Sequence, residues 1–186
     1  MSRFPIQTSM GAHDYAALLV GRLIVTWASV DEWLYGSITH CQHAKVIRGT
    51  MSMSQIPLPS GNFDNRVTEW RRLCAELAPD QEMMRQIDRS IVELKSFSLV
   101  RHHFAHNLIL RISPGENDDS SRFDISNSKQ MKRQVQQMIK NPRPNLTLNP
   151  IATYTFTQII DAAEGLERAR SELAAASAPI IAYRPK

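Results

Sequence analysis

Glycine and cysteine are both scarce in this sequence, and each shortage excludes a class of functional site. Only 7 of the 186 residues are glycine, and neither a Gly-Lys-Ser/Thr phosphate loop nor a Gly-x-Ser-x-Gly nucleophile elbow occurs. The 2 cysteines, Cys41 and Cys74, are too few for a disulfide scaffold. Both fall on apolar stripes of predicted helices, so we interpret them as core residues rather than as nucleophiles.

Long apolar runs are also missing, so the sequence predicts no membrane-spanning helix. The longest apolar stretches, 16–20 and 23–25, are separated by Gly21 and Arg22 and fall far short of the roughly 18–20 residues that a span requires. The first ten residues lack the basic start and apolar run of a secretory signal. We therefore expect a cytoplasmic protein that has no membrane partner.

Charge of neither sign dominates the sequence. Lys and Arg number 22 and Asp and Glu 18, so the formal net charge is +4, and hydrophobic residues make up 42%. This is ordinary globular composition, which excludes a disordered or collagen-like chain. Basic residues cluster in two segments, at Arg66, Arg71, Arg72, Arg85 and Arg89 and at Lys132, Arg133, Lys140 and Arg143. We interpret both clusters as solvated faces, with nucleic-acid binding by charge as the alternative.

The 10 prolines divide the chain into compartments for helices. Proline inside a helix costs about 3 kcal/mol, so helices are expected in the long proline-free runs, where apolar residues recur at spacings of three and four. Gly49 is predicted to end the first helix, Pro79 the second and Pro179 the last, while Asp80 is predicted to cap the third. The four long helices are predicted over 14–48, 63–78, 80–110 and 156–177.

Residues 111–150 do not continue the helical pattern. A polar loop is predicted at 115–121, and short strands are predicted at 109–112, 123–125 and 146–148. A small helix is predicted over 129–140, and its apolar residues on one side are Met131, Val135, Met138 and Ile139. We interpret the segment as an insertion of mixed structure.

These elements predict the fold class. Four long helices, each with one apolar stripe, are typical of an all-α, up-and-down four-helix bundle, and the long insertion of loop and short strands precedes the last helix. Strands do not alternate with helices, which argues against a parallel α/β sheet. The chain is expected to form a single domain over 1–186, with flexible ends at 1–10 and 180–186.

Arg101 stands out in the third predicted helix. At about 100° per residue, Leu94 and Leu108 lie about 20° to either side of it, so Arg101 falls in the middle of the apolar arc. A buried arginine is costly unless an opposite charge neutralises it. Asp31 lies on the inward side of the first helix and is the candidate partner. The pattern leaves open a structural ion pair and an active site.

Three of the 6 histidines follow Arg101 directly. His102 and His106 share one face of the helix, whereas His103 points to another side. His102 and His106 have the i, i+4 spacing of helical metal ligands, and further candidates near the end of the first helix are His40, Cys41 and His43. No paired cysteine motif and no His-Glu-x-x-His motif accompanies them, so we expect no metal and no cofactor.

The side of the third helix opposite its core-facing row is also apolar. The residues that form this side are Val92, Leu99, Val100 and Leu110. A helix that is apolar on two sides is buried on both. A second subunit and the insertion at 111–150 are the two candidates for covering it, and the pattern favours neither.

The segment Arg101-His-His-Phe-Ala-His106 resembles the signature of the HEPN superfamily (higher eukaryotes and prokaryotes nucleotide-binding). That signature is an arginine, a polar residue, a few variable residues and a histidine, on the penultimate core helix of a four-helix bundle. The run Trp27-Ala-Ser-Val-Asp31 is similar to the first-helix pattern of bacterial HEPN-like proteins. His102 stands where asparagine is the most familiar residue. The resemblance covers 12–110 and 151–178.

The resemblance implies two functions. Many HEPN proteins are metal-independent endoribonucleases, and many of these are toxins of toxin–antitoxin or abortive-infection systems. Active members form dimers that bring two copies of the motif into one cleft. The resemblance therefore implies a homodimer that acts on RNA and an antitoxin as a possible partner. The alternative is a non-catalytic dimeric module that binds a nucleotide or a protein partner.

The residue types suit metal-free RNA cleavage. The 2′-hydroxyl must lose a proton, the leaving 5′-oxygen must gain one, and the phosphorane needs positive charge. Histidine transfers protons near neutral pH, so His106 is predicted to be the general base or acid. Arg101 is predicted to bind the phosphate oxygens with its fork of donors. His102 is predicted to carry the second proton, bind phosphate or orient His106, and Asp31 to hold Arg101 or His106 in place.

Overall fold

A computed structural model describes residues 11–47, 49–56, 61–77, 80–140 and 150–181. The chain is mainly helical, as predicted. The helices within the described residues are α1 (Ala12–Ile47), α2 (Phe63–Leu77), α3 (Gln81–His106), α4 (Ser128–Lys140) and α5 (Phe156–Ile181), with one 3-10 turn at Met53–Gln55. The strands are β1 (Leu108–Ser113), β2 (Arg122–Ser126) and β3 (Ala152–Thr155).

The chain divides into two compact units. We call Met1–Val25 with Phe97–Glu164 the sheet unit, and Thr26–Ser96 with Gly165–Lys186 the helical unit. The three longest helices, α1, α3 and α5, each contribute residues to both units. None of the helices within the described part of the chain combines the length and apolarity needed to cross a membrane.

The helical unit has a core formed by the predicted apolar stripes. Trp70 of α2 is fully buried, and its ring meets the edge of Trp33 at a centroid distance of 5.5 Å. The rings of Trp27 and Phe63 lie 4.5 Å apart. Further fully buried side chains in this core are Ile38, Leu73, Ile87, Leu166 and Leu173. Each such side chain stabilises the fold by about 1.5–3 kcal/mol of transfer free energy.

Two predicted helix boundaries are confirmed in the helical unit. Gly49 follows α1 with a φ of 71°, a left-handed conformation that glycine adopts without steric cost. The Thr50 N–H donates to the Lys45 carbonyl at 3.0 Å and so closes the helix end. Asp80 caps α3, because its Oδ1 accepts the Met83 N–H at 2.7 Å.

The sheet unit contains an antiparallel sheet in the order β1-β2-β3. β1 and β2 confirm the strands predicted at 109–112 and 123–125, and α4 confirms the small helix. β3 was not predicted, and the strand predicted at 146–148 lies outside the described residues. The β1–β2 register starts with Leu108 opposite Ser126, and it shifts between Ile109 and Arg111, which marks a bulge.

The third helix ends four residues earlier than the sequence predicted. α3 stops at His106, and after Asn107 the chain enters β1 instead of continuing to Leu110. The apolar period alone did not separate the two states, because a short apolar segment fits a strand as well as a helix. Pairing with β2 favours the strand, since it satisfies the backbone groups on one side of Leu108–Ser113.

The last helix ends later than predicted. α5 passes through Pro179 to Ile181, whereas the sequence pattern ended it at 177. Proline has no N–H to donate to the carbonyl of Ala175, four residues earlier. Ala175 is exposed, so that carbonyl can be solvated, and burial of Ile180 stabilises the final turn.

Candidate functional site

The residues of the HEPN-like segment occupy the last turns of α3. Because α3 ends at His106, Arg101, His102 and His106 lie beside a helix C-terminus and not in the middle of a longer helix. The last carbonyl groups of a helix carry partial negative charge, which favours basic side chains at this position. The helix end therefore suits the accumulation of basic residues that the sequence shows.

Arg101, His102 and His106 form one cluster, which we call the Arg-His cluster. Nη1 of Arg101 lies 3.4 Å from Nε2 of His106. The rings of His102 and His106 have a centroid distance of 4.8 Å and an interplanar angle of 52°. Both histidines are exposed and Arg101 is half-buried. The structure thus brings three predicted site residues together at a surface that solvent reaches.

The Arg101–His106 contact defines the role of one ring nitrogen. A guanidinium group only donates hydrogen bonds, so Nε2 of His106 is the acceptor in this contact. A ring nitrogen that bears no proton is the form of imidazole that takes a proton from a substrate, once its electron pair is released from such a contact. The arrangement therefore places a proton acceptor beside a permanent positive charge.

Arg101 is less buried than the sequence predicted. The apolar arc placed it in the core, but its side chain is half-buried, whereas Leu94, seven residues earlier, is 2% exposed. Its position near the end of α3 explains the difference, because the core-facing row ends there. The desolvation cost that called for a neutralising carboxylate is correspondingly smaller.

His103 has a partner that the sequence did not reveal. Its Nδ1 lies 2.7 Å from the hydroxyl oxygen of Tyr154 on β3. Burial and the nearby His102 lower the pKa of His103, and burial raises the pKa of Tyr154. Both side chains are therefore neutral at pH 7 and share a hydrogen bond between Nδ1 and the hydroxyl. The sequence predicted that His103 points to another side of the helix than His106, and its contact with Tyr154 agrees with that prediction.

Aromatic packing fixes the end of α3 against the sheet. Phe104 is 8% exposed and meets the edge of Phe123 at 5.2 Å between ring centroids. Tyr154 stands opposite Phe123 in the β2–β3 register and lies 5.7 Å from Phe104. Phe123 in turn lies 4.8 Å from Phe156. The Arg-His cluster thus projects from a helix end that two aromatic contacts of Phe104 hold in place.

Asp31 belongs to the helical unit, and its carboxylate accepts a hydrogen bond there. Nη2 of Arg66 lies 2.5 Å from Oδ1 of Asp31, and Nη1 of Arg66 donates to the Gly61 carbonyl at 2.7 Å. Arg66 therefore links the first helix to the start of α2. The support of Arg101 or His106 by Asp31 stays a prediction.

The described residues give little support to a metal-binding site. Within them, no group of three or more His, Cys, Asp and Glu side chains is arranged to hold a metal ion. His40 and His43 are exposed on α1, while Cys41 is buried. The two cysteine thiols are free of disulfide and hydrogen-bond to each other, and this bond and burial raise the pKa of Cys74. Both cysteines are core residues, as predicted.

A second concave surface lies within the helical unit, between α3 and α5. Its volume is about 530 Å³, and its polar side chains come from Gln86, Arg89, Ser90, Glu93 and Glu172. Glu93 is paired with Arg168 at 2.5 Å. The two carboxylates disfavour a phosphate ligand there by like-charge repulsion. The Arg-His cluster is therefore the stronger candidate for a site that handles phosphate.

Comparison of the chain with protein-family models, with curated proteins and with solved structures gave no match. Function is therefore inferred from the residues and their geometry. The Arg-His cluster offers two imidazoles for proton transfer and one guanidinium for an oxyanion. Sequence reasoning missed Tyr154, because its role depends on a strand whose four residues carry no distinctive pattern.

Proposed function

We propose that this chain is a metal-independent endoribonuclease of HEPN type, built on an up-and-down four-helix bundle. The 2′-oxygen of a ribose attacks the adjacent phosphorus, the bond to the 5′-oxygen breaks, and a 2′,3′-cyclic phosphate and a 5′-hydroxyl result. The observation that carries the proposal is the grouping of Arg101, His102 and His106 at one exposed helix end.

His106 acts as the general base in this reaction. Its Nε2 accepts from Arg101 at 3.4 Å in the free chain, and it takes the proton of the 2′-hydroxyl once the Arg101 guanidinium turns its donors to the phosphate. The entering and leaving oxygens lie on opposite sides of the phosphorus in an in-line displacement. A second group must therefore protonate the 5′-oxygen. His102 is exposed, lies 4.8 Å from His106 between ring centroids, and fills this role.

Arg101 stabilises the charge that develops during the attack. Its guanidinium stays protonated at every working pH and offers donors in a fixed fork to the non-bridging phosphate oxygens. Half-burial reduces the competition from water, so the interaction with the phosphorane is stronger than that of a fully exposed arginine. In the free chain, the contact between Arg101 and His106 keeps the general base beside the group that binds the phosphate.

His103 and Tyr154 position the cluster and do not carry protons. The 2.7 Å contact between Nδ1 of His103 and the Tyr154 hydroxyl ties the last turn of α3 to β3. Since the pKa of His103 is lowered by burial and by His102, its ring stays neutral when the reaction operates near pH 7.

The wider biological setting follows from the same proposal. Two copies of the chain form a homodimer that brings two Arg-His clusters into one cleft, as the resemblance implies. A cytoplasmic toxin or phage-defence component needs a partner that restrains it, which an antitoxin supplies. In the alternative function, the same cluster binds the phosphate of a nucleotide, or the dimer binds a protein partner, without cleavage. His102, which replaces the familiar asparagine, is the observation that favours this alternative.

Cleavage of RNA in EDTA tests the proposal. We expect the purified chain to cut single-stranded RNA and to leave 2′,3′-cyclic phosphate ends, which mass spectrometry of the products identifies. Arg101→Ala and His106→Ala variants should lose cleavage while keeping the circular dichroism of the parent. His43→Ala removes an exposed histidine on α1 and serves as the matched control.

Two results would contradict the nuclease. Loss of all cleavage when EDTA is added would show that a metal ion takes part. Absence of cleavage combined with binding of a fluorescent nucleotide, weakened in Arg101→Ala, would instead support the non-catalytic module.

A further inference from the structure

α4 carries a concentrated positive charge that the cleavage reaction does not use. Its sequence, SKQMKRQVQQMIK, contains four cations and no acidic residue. At about 100° per residue the four fall within an arc of about 100°. We call Lys129, Lys132, Arg133 and Lys140 the basic face of α4, and all four side chains are exposed.

No carboxylate within the described residues neutralises this basic face by an ion pair. Three acidic residues of the sheet unit are engaged elsewhere. Asp118 accepts from the Tyr15 hydroxyl at 3.1 Å, and Asp119 accepts from Thr157 at 2.5 Å. Asp124 is paired with Arg111 at 2.9 Å. The basic face is therefore available to an external polyanion.

The β1–β2 hairpin brings the basic face and the Arg-His cluster to the same end of the sheet. Leu108 and Ser126 are register partners, and such partners have Cα atoms about 5 Å apart. His106 lies two residues before Leu108, and Ser128, the first residue of α4, lies two residues after Ser126. At 3.8 Å per residue, the Cα atoms of His106 and Ser128 lie within about 21 Å of each other.

We propose that the basic face of α4 binds the phosphate backbone of single-stranded RNA, holding the strand whose scissile phosphate lies at the Arg-His cluster. This interface rests on the proposed nuclease function and names its substrate contact. α4 is about 20 Å long at 1.5 Å per residue, which matches several successive phosphates. It carries no aromatic residue for base stacking, so the contact is to the backbone and is independent of base sequence.

A membrane surface fits α4 less well than RNA does. Interfacial helices insert tryptophan, phenylalanine or leucine on the side opposite their cations, and α4 contains none of the three. Val135 and Ile139 are 41% and 75% exposed, so α4 does present aliphatic side chains, but neither is one of these anchors. Within the described residues, the four cations of the basic face have no carboxylate partner. This favours a polyanion that binds through charge alone.

Binding of an uncut RNA tests the interface. In a His106→Ala background, fluorescence anisotropy with a labelled single-stranded oligonucleotide measures Kd at several salt concentrations. Each phosphate contact to a single strand contributes about −0.7 to the slope of log K against log salt. Lys132→Gln with Arg133→Gln should therefore reduce the slope by about 1.4 and weaken binding about 20-fold at 0.1 M salt.

Arg85→Gln with Arg89→Gln removes the same charge from exposed positions on α3 and should leave binding unchanged. Equal affinity of the parent and the α4 variant would overturn the interface. So would flotation of the parent, but not of the α4 variant, with vesicles of equal phosphatidylcholine and phosphatidylglycerol in the absence of RNA binding.

The same variants separate this interface from the nuclease. With His106 restored, the α4 variant should raise KM about 20-fold and leave kcat near that of the parent. If the parent cuts no RNA while binding still depends on Lys132 and Arg133, the nuclease fails and the interface stands. If cleavage is intact and KM is unaffected by the α4 substitutions, the interface fails and the nuclease stands.

Discussion

The helical unit and the sheet unit use the same basic residue types in different ways. In the helical unit arginines are held by carboxylates: Arg71 by Asp88, and Arg72 by Glu69 and Glu76. In the sheet unit Asp124 holds Arg111 in the same way, but Arg101 contacts His106, and the four cations of α4 have no carboxylate partner within the described residues. A cation that a carboxylate already holds stabilises its surroundings slightly, whereas exposed cations without such a pair, as on α4, can bind a phosphate.

The groups with shifted pKa values also differ between the helical unit and the sheet unit. The guanidinium of Arg71 lowers the pKa of Asp88, and Lys45 with Arg72 lowers that of Glu76. These carboxylates remain ionised throughout the neutral range and keep their cations engaged. In the sheet unit the shifted groups are His103 and Tyr154, which burial holds in their neutral forms. Paired charge thus characterises the helical unit, and neutral hydrogen bonding supports the site in the sheet unit.

Replacing one arginine in each unit is the strongest test of the contrast. Arg101→Lys keeps the charge but loses the fork of donors, and we expect cleavage to fall about 100-fold, or about 2.7 kcal/mol of transition-state stabilisation. Arg71→Lys, made in an exposed ion pair, should leave cleavage unchanged. The ratio of kcat/KM values measures both effects. Equal losses in the two variants would remove the distinction between the units.

Removing the Tyr154 hydroxyl breaks the support of the site without touching the cluster. Tyr154→Phe leaves Nδ1 of His103 without its 2.7 Å partner. We expect the free energy of unfolding in urea to fall by about 1 kcal/mol, since a partly buried ring nitrogen loses its hydrogen-bond partner. Phe104→Leu alters the neighbouring aromatic contact but keeps the hydrogen bond, so it should not change the pKa of His103. That pKa, read from the NMR shift of the ring proton, should rise in Tyr154→Phe if loosening of the helix end hydrates the imidazole.

The exposed ion pairs of the helical unit should contribute little. Arg71→Gln removes the bidentate contact with Asp88, and exposed pairs of this kind contribute about 0.2–1 kcal/mol. Thermal unfolding at low and at high salt should show a small loss that salt further reduces. A loss of several kcal/mol would mean that the pair is part of the core of its unit.

Acidification should weaken the sheet unit through His103. The pKa of His103 is lowered in the folded chain, so the unfolded chain binds the proton more readily. The resulting stability is fully present above the ordinary value of 6.5 and is lost as pH falls through the folded pKa. His103→Gln should therefore show a smaller drop in unfolding free energy between pH 7.5 and 5.5. A steeper drop in this variant than in the parent would contradict a lowered pKa of His103 in the folded chain.

Much of the fold was readable from the sequence because long amphipathic helices carry a strong repeating signal. α1 and α2 were predicted to within two residues at each end, and β1, β2 and α4 were found inside the predicted insertion. The errors fell at α3, which ends at His106, and at α5, which continues through Pro179. Both ends depend on partners outside the local pattern, namely strand pairing for β1 and burial of Ile180 for α5.

The sequence by itself determined which residues share a face of one helix. A period of 3.6 residues placed His102 beside His106 and turned His103 away, and the structure confirms both. It also determined the single-sign charge of α4, which requires only counting. These properties depend on residues a few positions apart along the chain, where backbone geometry alone sets the distance.

Only the tertiary structure decided which distant residues those helix faces contact. The Tyr154 hydroxyl reaches His103 across 51 residues of chain, and the register of Leu108 with Ser126 brings α4 to the end of the sheet that carries the Arg-His cluster. Asp31 was predicted from its position on α1, yet its contact with Arg66 depends on how α2 packs. Such contacts join distant segments, so they are set by packing and strand pairing, which no local period encodes.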